Sequence, residues 1–441
     1  MYPNPQDVLP LPPRPDLEQY TTDAKDLVAA CISGSPGAIR EWAARWLDAL
    51  ARLQGVNFTA EVRASIDRRV EQIESFACRT LTSSEHSGAH CALTDAQLVI
   101  ARAHGFEGWR TFTQHLEGLA RASPVSNFET AAEAIVAGDV ATLERLLHDH
   151  PELIRARSTR AHRATLLHYV AANGVENDRQ QTPANAVAIA MMLLKAGAEV
   201  DADADVYGGG CTTLGLVATS IHPERAGVQD ALMQMLIDHG AAIDHPRGAG
   251  NNHNLVVGCL ANGRRSAAEY LAAHGAHLDL EGAAGVGRLE VVKAFFNADG
   301  SRKPAATDGQ MRDGFAWASE YGRTAVVEFL LDRGVPLDAR LRHDGQTALH
   351  WAAAGGHADT VTLLLERQAP VNAIDERYKG TPLTWALYGY RHRPDSTPPD
   401  RYYAVVALLV RAGATVDPRW WQDEPDADGR MAAALRGETV G

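Results

Sequence analysis

The sequence predicts an all-α-dominated solenoid of repeated helix-turn-helix pairs with short β-hairpins, preceded by an N-terminal helical domain. Gly356 lies 34 residues after Gly322, and each glycine ends a helix rich in small residues. A second apolar helix follows each of them, at 326–331 and at 361–365. A single pair of this size cannot bury its apolar face alone, so neighbouring pairs must stack on one another.

The most regular repeat runs from Gly345 to Ala373, with Thr347 and His350 at the start of its first helix. This segment resembles an ankyrin repeat, whose pattern is Gly-x-Thr-Pro-Leu-His, then Ala-Ala-x-x-Gly, Val-x-x-Leu-Leu and Gly-Ala-x-Val-Asn. Ala348 stands where the family has proline. Weaker copies extend the resemblance over roughly residues 128–419, which implies about seven or eight units with irregular insertions. The resemblance also implies that the histidines at this position, such as His350, are structural rather than catalytic.

The N-terminal region differs from the repeats, because its apolar residues recur at spacings of three and four over longer stretches. Thr59 is the predicted N-cap of the third helix. The predicted helices are Thr22–Ile32, Ala38–Leu53, Ala60–Leu81, Leu93–Arg102 and Trp109–Leu119. This region is similar to the N-terminal helices of uncharacterised bacterial ankyrin-repeat proteins, a resemblance that implies no activity. We expect it to cover the exposed end of the first repeat, with a recruitment surface as the alternative.

These patterns together divide the chain into four predicted segments. They are a Pro-rich N-terminal arm (1–20), an N-terminal helical domain (21–126), the repeat solenoid (127–419) and a C-terminal cap or tail (420–441).

The composition restricts the classes of partner. The formal net charge is −13, and an acidic chain is poorly suited to nucleic acid, whose phosphates require a basic face. A basic protein or peptide partner is compatible with this charge. Five cysteines in 441 residues do not make a disulfide framework, and no apolar run approaches the length of a membrane span. The start of the chain does not resemble a signal peptide. We therefore expect a reduced, cytoplasmic protein that does not enter membranes.

Three motifs that suggest a cofactor or a metal ion depart from the patterns that such sites require. Cys78, His86, His90 and Cys91 lack the paired-cysteine spacing of structural zinc sites. The alternating aspartates of 201–205 lack the glycine and the glutamate of a calcium loop. The glycines of 282–287 lack the order of a dinucleotide-binding loop. We expect no metal ion, no cofactor and no catalytic residue, so that an enzymatic role is uncertain and the expectation is against one.

The candidate binding residues come from aligning the repeats on the position that follows the repeat's histidine. Residues three and four later share that helical face, which in ankyrin proteins looks into the concave groove. Aromatic side chains concentrate there, and packing against the neighbouring repeat is the alternative role for the tryptophans. Asn254 is added because it lies at a predicted hairpin-to-helix junction, and we expect it to form a polar patch over the middle of the groove together with the segment 207–210. The candidates are Tyr169, Asn173, Asn254, Trp317, Glu320, Tyr321, Trp351, Trp385 and Tyr388.

These observations favour a non-enzymatic interaction protein that binds a protein or peptide partner in its concave groove. The alternative is a small-molecule-binding protein or an unusual enzyme that uses the aromatic groove and three inserted loops as a pocket. The loops lie between the first and second helices of their repeats, at 175–185, 221–227 and 390–400.

Overall fold

A computed structural model describes residues 4–53, 59–82, 90–245, 254–340, 345–393, 397–417 and 429–438. The chain divides into two compact units, Met1–His253 and Asn254–Gly441. Helices dominate both units, which confirms the predicted fold class. Among the described residues, no helix combines the length and the apolar character that crossing a membrane requires.

The first unit begins with the N-terminal helices. Asp16 accepts a hydrogen bond of 2.9 Å from the N–H of Glu18, so the first helix starts five residues before the predicted position. The Thr59 hydroxyl accepts a bond of 3.3 Å from the N–H of Val62, in agreement with the predicted N-cap. The five helices are α1 (Leu17–Ile32), α2 (Ala38–Leu53), α3 (Ala60–Thr82), α4 (Leu93–Ala103) and α5 (Trp109–Leu119).

An aromatic core holds these helices together. The buried rings of Tyr20, Trp46 and Phe112 surround the ring of His104, with centroids 5.0 to 5.7 Å apart. The Pro-rich arm packs on the same core, because Leu9 is buried and its N–H donates to the carbonyl of Ala103 over 2.8 Å. The arm is thus a packed part of the first unit.

The same unit contains three helix pairs that follow α5. Leu166–Ala171, the first helix of the second pair, is a 3₁₀ helix. The predicted loop 221–227 contains a short helix. Ser220 is its N-cap, because the serine hydroxyl accepts a hydrogen bond from the N–H of His222. The α-helices are α6 (Pro124–Ala137), α7 (Val140–Asp149), α8 (Ala186–Lys195), α9 (Thr213–Thr219), α10 (Ile221–Arg225) and α11 (Gln229–Asp238). Strands β1 (Asp203–Ala204) and β2 (Cys211–Thr212) pair antiparallel, with Asp203 opposite Thr212. Further 3₁₀ helices span Pro5–Asp7, Pro151–Arg155 and Asn177–Arg179.

In its described residues, the second unit contains five further helix pairs and a final helix. They are α12 (Leu255–Ala261), α13 (Arg265–Ala273), α14 (Leu280–Gly285), α15 (Leu289–Lys293), α16 (Asp308–Glu320), α17 (Thr324–Asp332), α18 (Ala348–Ala354), α19 (Ala358–Glu366), α20 (Pro382–His392), α21 (Asp400–Arg411) and α22 (Gly429–Leu435). First helices pack on first helices from α12 to α20, and second helices on second helices from α15 to α21. One continuous hydrophobic core, from Leu280 to Leu435, runs through these layers. This is the packing expected of a repeat array.

Cysteine pairing differs from the expectation of a fully reduced chain. Cys31 at the end of α1 forms a disulfide with Cys91, and their Cα atoms lie 5.8 Å apart. This pair was not predictable from the sequence, because 60 residues separate the two cysteines and the packing of α1 and α4 brings them together. Cys91 is therefore unavailable to the zinc motif considered above, and His86 of that motif lies outside the described residues.

Candidate functional site

In two of the repeats, the first helix begins with a buried threonine–histidine pair. In the 345–373 repeat, Nδ1 of His350 lies 3.1 Å from the backbone nitrogen of Thr347 and 2.8 Å from its hydroxyl. Nε2 of His350 lies 3.2 Å from the carbonyl oxygen of Gly380 in the next repeat. His168 forms the same bonds with Thr165 and with the carbonyl of Cys211. Burial lowers the pKa of both imidazoles, which remain neutral and link adjacent repeats.

The next repeat, which contains α20, is organised around the carboxylate of Asp375. This carboxylate accepts hydrogen bonds from the backbone N–H groups of Arg377, Tyr378 and Gly380, at 2.6 to 3.0 Å. Its Oδ2 atom also accepts from Nε1 of Trp385 over 3.1 Å. Burial by itself would raise the pKa of Asp375, but these bonds outweigh it and hold the pKa below its usual range. One buried anion thus fixes both the 375–380 turn and the indole of Trp385.

The helices α18 and α20 approach each other closely at Gly389. A Cβ at this position would overlap the carbonyl oxygen of Ala354, so only glycine fits there. This close approach places the rings of Trp351 and Trp385 edge to face, with centroids 5.2 Å apart. The two tryptophans are each half-buried. Residues at the same position of two adjacent repeats are thus in direct contact.

Two exposed tyrosines flank Trp385. Tyr378 is 62% exposed and its ring centroid lies 6.1 Å from that of Trp385, while Tyr388 is 59% exposed. His392 stacks on Tyr388 with ring centroids 4.0 Å apart, one helical turn later on α20. A groove of about 440 Å³ lies among these side chains. The residues that line this aromatic groove are Tyr378, Gly380, Thr384, Trp385, Leu387, Tyr388, Arg391 and His392.

Trp317, Glu320 and Tyr321, at the end of α16, form a separate cluster whose hydrogen bonds lie within the stack of repeats. Trp317 is only 2% exposed, and its Nε1 donates to Oε1 of Glu281 over 2.8 Å. The ring of Tyr321 stacks on Trp317 at 6.1 Å, and its hydroxyl donates to the carbonyl of Leu260 over 2.7 Å. The carbonyl oxygen of Glu320 lies 2.7 Å from Nε2 of His357. These contacts link Trp317 and Glu320 to the adjacent repeats and Tyr321 to the repeat of α12.

Tyr169 lies in the first unit and is fully buried beside four charged side chains. We call Glu129, Arg160, Glu176 and Arg179 the charge cluster. Nη1 of Arg179 lies 2.7 Å from Oε2 of Glu129, and Nε of Arg160 pairs with Oε1 of Glu176. The Tyr169 hydroxyl donates to Oε1 of Glu176 over 3.4 Å. The inserted segment 175–185 supplies Glu176 and Arg179, so this insertion is anchored inside the first unit.

The two asparagines among the candidates have well-defined partners. Asn173 accepts a hydrogen bond of 2.8 Å from the hydroxyl of Tyr207, which the sequence had associated with a polar patch. Its amide nitrogen lies 3.3 Å from the hydroxyl of Thr219. Asn254 is the N-cap of α12, because its Oδ1 accepts from the N–H of Val257 over 3.3 Å. Asn173 belongs to the first unit and Asn254 to the second.

Sequence reasoning overlooked Tyr378, His392 and the charge cluster. Tyr378 was missed because the alignment considered the first helix of each repeat but not the hairpin that precedes it. The signal that could have found it is the lengthened hairpin 373–380, which contains an aromatic residue at its tip. The charge cluster had only a weak signal, namely the density of charged residues in the insertion 175–185.

Comparison with protein families supports the repeat assignment. The model of ankyrin repeats in three copies matches residues 280–375 and 315–419. These two matches cover the second unit from α14 to the end of α21, including every residue of the aromatic groove. No curated protein matches the chain. The stacked helix pairs, the threonine–histidine link of this part of the chain and the family match together identify residues 280–419 as ankyrin repeats.

Proposed function

We propose that the chain holds a segment of a protein partner in the aromatic groove. Ankyrin repeats are generally protein-interaction modules, and the groove lies within the matched repeats. The observation that carries the proposal is the exposure of Tyr378 and Tyr388 on either side of Trp385. Exposed aromatic side chains grouped around a concavity are typical anchors of protein interfaces.

The side chains of the aromatic groove are held in place by contacts within the chain, which supports this role. The Asp375 carboxylate holds the indole of Trp385 and the Tyr378 turn in place before any partner arrives. A side chain that is already ordered loses little conformational entropy on binding, so more of its contact energy contributes to affinity. Trp351 supports Trp385 from the neighbouring repeat through its edge-to-face contact. The contact residues that we propose are therefore Trp351, Tyr378, Trp385 and Tyr388.

The burial of the other candidates argues for structural roles. Tyr169 is fully buried and Trp317 is 2% exposed, so neither ring offers a surface to a partner. Asn254 caps a helix. Among the described residues, the lining of the groove includes Arg391 and His392 but no acidic side chain. Although the net charge of the chain is −13, this local charge favours a partner segment that is apolar with neutral or acidic flanks.

Site-specific photo-crosslinking in the native host tests the proposal. A photoreactive phenylalanine analogue at position 388 should capture a protein that the same analogue at position 270 does not. Tyr270 is the matched control, because His274 stacks on it with ring centroids 3.9 Å apart, the same arrangement as Tyr388 and His392. The captured protein should then bind Tyr388→Ala more weakly than Tyr270→Ala. Equal capture at both positions would contradict the proposal. A stoichiometric bound metabolite without a captured protein would favour a small-molecule site instead.

A further inference from the structure

A second concavity in the second unit is lined by arginines. It has a volume of about 460 Å³ and lies between the start of α16 and residues 333–340 that follow α17. Its lining includes Arg302, Asp308, Met311, Arg312, Arg333 and Arg340. We call it the arginine cleft. Four arginines against one aspartate make this surface locally positive, although the whole chain is strongly acidic.

Among the described residues, Arg312, Arg333 and Arg340 form no hydrogen bond or ion pair with a carboxylate, although the charge of Arg312 also acts on Asp308. Arg312 is exposed and forms no hydrogen bond or ion pair with any of them. Arg333 lies over the rings of Phe296 and Phe329, at 5.6 and 4.7 Å from their centroids. Only Arg302 pairs with a carboxylate of the cleft, that of Asp308. The positive charge of the cleft is therefore largely uncompensated.

Arg340 and two carboxylates of α17 leave the positive charge of the cleft unchanged. Arg340 donates to the carbonyl oxygens of Gly345 and Ile374, over 2.8 and 2.7 Å, and both acceptors are neutral. On α17, Glu328 and Asp332 lie 3.2 and 3.0 Å from the guanidinium of Arg367. Those two carboxylates are thus paired outside the cleft.

We propose that the arginine cleft binds a carboxylate-rich segment of a protein. Guanidinium groups recognise carboxylates through paired hydrogen bonds, and the ring contacts of Arg333 keep its side chain ordered before binding. The charges come from separate segments around a cavity far larger than a single oxyanion. This arrangement suits several carboxylates along a chain better than one phosphate group. The site is distinct from the aromatic groove and does not depend on the function proposed for it.

The proposal is tested with the full chain and a fluorescein-labelled hexaglutamate peptide, with hexaglutamine as the neutral control. Anisotropy is measured at about 50 mM salt, where electrostatic screening is weak. Hexaglutamate should bind and hexaglutamine should not. Arg312→Gln should weaken binding about fivefold, and Arg312→Gln with Arg333→Gln more strongly. Thermal melting should change little for Arg312→Gln, because this exposed side chain forms no hydrogen bond or ion pair with the described residues.

Arg288 provides the matched control, since it is an exposed arginine of the same unit that does not line the cleft. Arg288→Gln should leave hexaglutamate binding within about twofold of the unchanged chain, because it is a surface charge at a distance from the ligand. Equal weakening by Arg288→Gln and Arg312→Gln, or no binding of hexaglutamate, would overturn the proposal. Displacement of the peptide by inorganic phosphate at constant ionic strength would overturn the carboxylate assignment. Tighter binding of an oligothymidylate of the same charge would overturn the assignment to protein.

Discussion

The Oδ2 atom of Asp375 accepts a hydrogen bond of 3.1 Å from Nε1 of Trp385 and another of 2.7 Å from the N–H of Gly380. The same carboxylate accepts from the N–H of Tyr378 through its other oxygen. A single buried side chain thereby sets the positions of two aromatic residues that we assign to partner binding. The groove depends on this carboxylate, although Asp375 itself is only 1% exposed.

Replacement of Asp375 by asparagine should therefore disturb both stability and binding. The amide would place a donor against backbone N–H groups, so that buried donors lose their acceptor. The expected loss is about 1–3 kcal/mol in the free energy of unfolding, measured by urea denaturation. Glu376→Gln is the control, because Glu376 is the exposed neighbour and should leave the unfolding curve unchanged. Equal stability of the two variants would show that the carboxylate does not organise the turn.

Substitution of aromatic residues in the groove should weaken partner binding, whereas substitution of a core leucine should lower the stability of the fold. Tyr388→Ala should change the free energy of unfolding by less than about 0.5 kcal/mol, since the side chain is largely exposed. Trp385→Ala should weaken binding of the crosslinked partner by about 2 kcal/mol or more. Leu364→Ala should instead cost roughly 2–5 kcal/mol of stability, because Leu364 is fully buried. If Trp385→Ala melted as early as Leu364→Ala, the indole would be a packing residue.

The charge cluster should be sensitive to the loss of one partner. Burial alone would raise the pKa of Glu176, but Arg160, His162 and Arg179 outweigh it and keep the carboxylate ionised. Glu176→Gln leaves the buried Arg160 and Arg179 with Glu129 as their one buried carboxylate among the described residues, 3.7 Å from Arg160, and should destabilise the chain by about 3–5 kcal/mol. Glu133→Gln is the control, because Glu133 also pairs with Arg179, at 3.4 Å, but is 64% exposed. The two variants are compared by thermal melting, and coinciding melting curves would contradict this account.

Stability should fall in mild acid because buried histidines are neutral in the folded chain. Burial lowers the pKa of His168 to about 4, and the bond to Cys211 only partly opposes this effect. The unfolded chain binds protons on histidine below its ordinary pKa of about 6.5, whereas folded His168 does not until about pH 4. Stability is therefore complete above pH 6.5 and declines as the pH falls towards 4. In urea denaturation, His168→Asn should show a shallower decline over this range. An identical slope would mean that His168 is not the group responsible.

The Cys31–Cys91 disulfide should be detectable by thiol titration. Three cysteines, Cys78, Cys211 and Cys259, are free in the structure. The denatured, unreduced chain should therefore react at three thiols and the reduced chain at all five. Closing a loop between residues 60 apart should stabilise the fold by roughly 2–4 kcal/mol, so reduction should lower the melting temperature. Cys31→Ser should lower it to a similar extent. Five reactive thiols without reductant would refute the pairing.

The sequence by itself determined the repeated helix pairs and most of the N-terminal helices. The bounds of α2 and α5 are as predicted, because caps, glycines and the spacing of apolar residues act within one helix. The threonine–histidine pair was also accessible, since its two residues lie three positions apart.

Tertiary structure decided which of the aligned aromatic residues face outwards. Trp317 and Trp385 occupy the same position in their repeats, yet Glu281 of another repeat receives the indole of Trp317 in the interior, whereas Asp375 holds Trp385 at a groove. The pairing of Arg179 with Glu129 joins residues 50 apart. Such contacts cannot be predicted from the spacing of apolar residues within one helix, because the burial of a side chain depends on the residues of the neighbouring repeat.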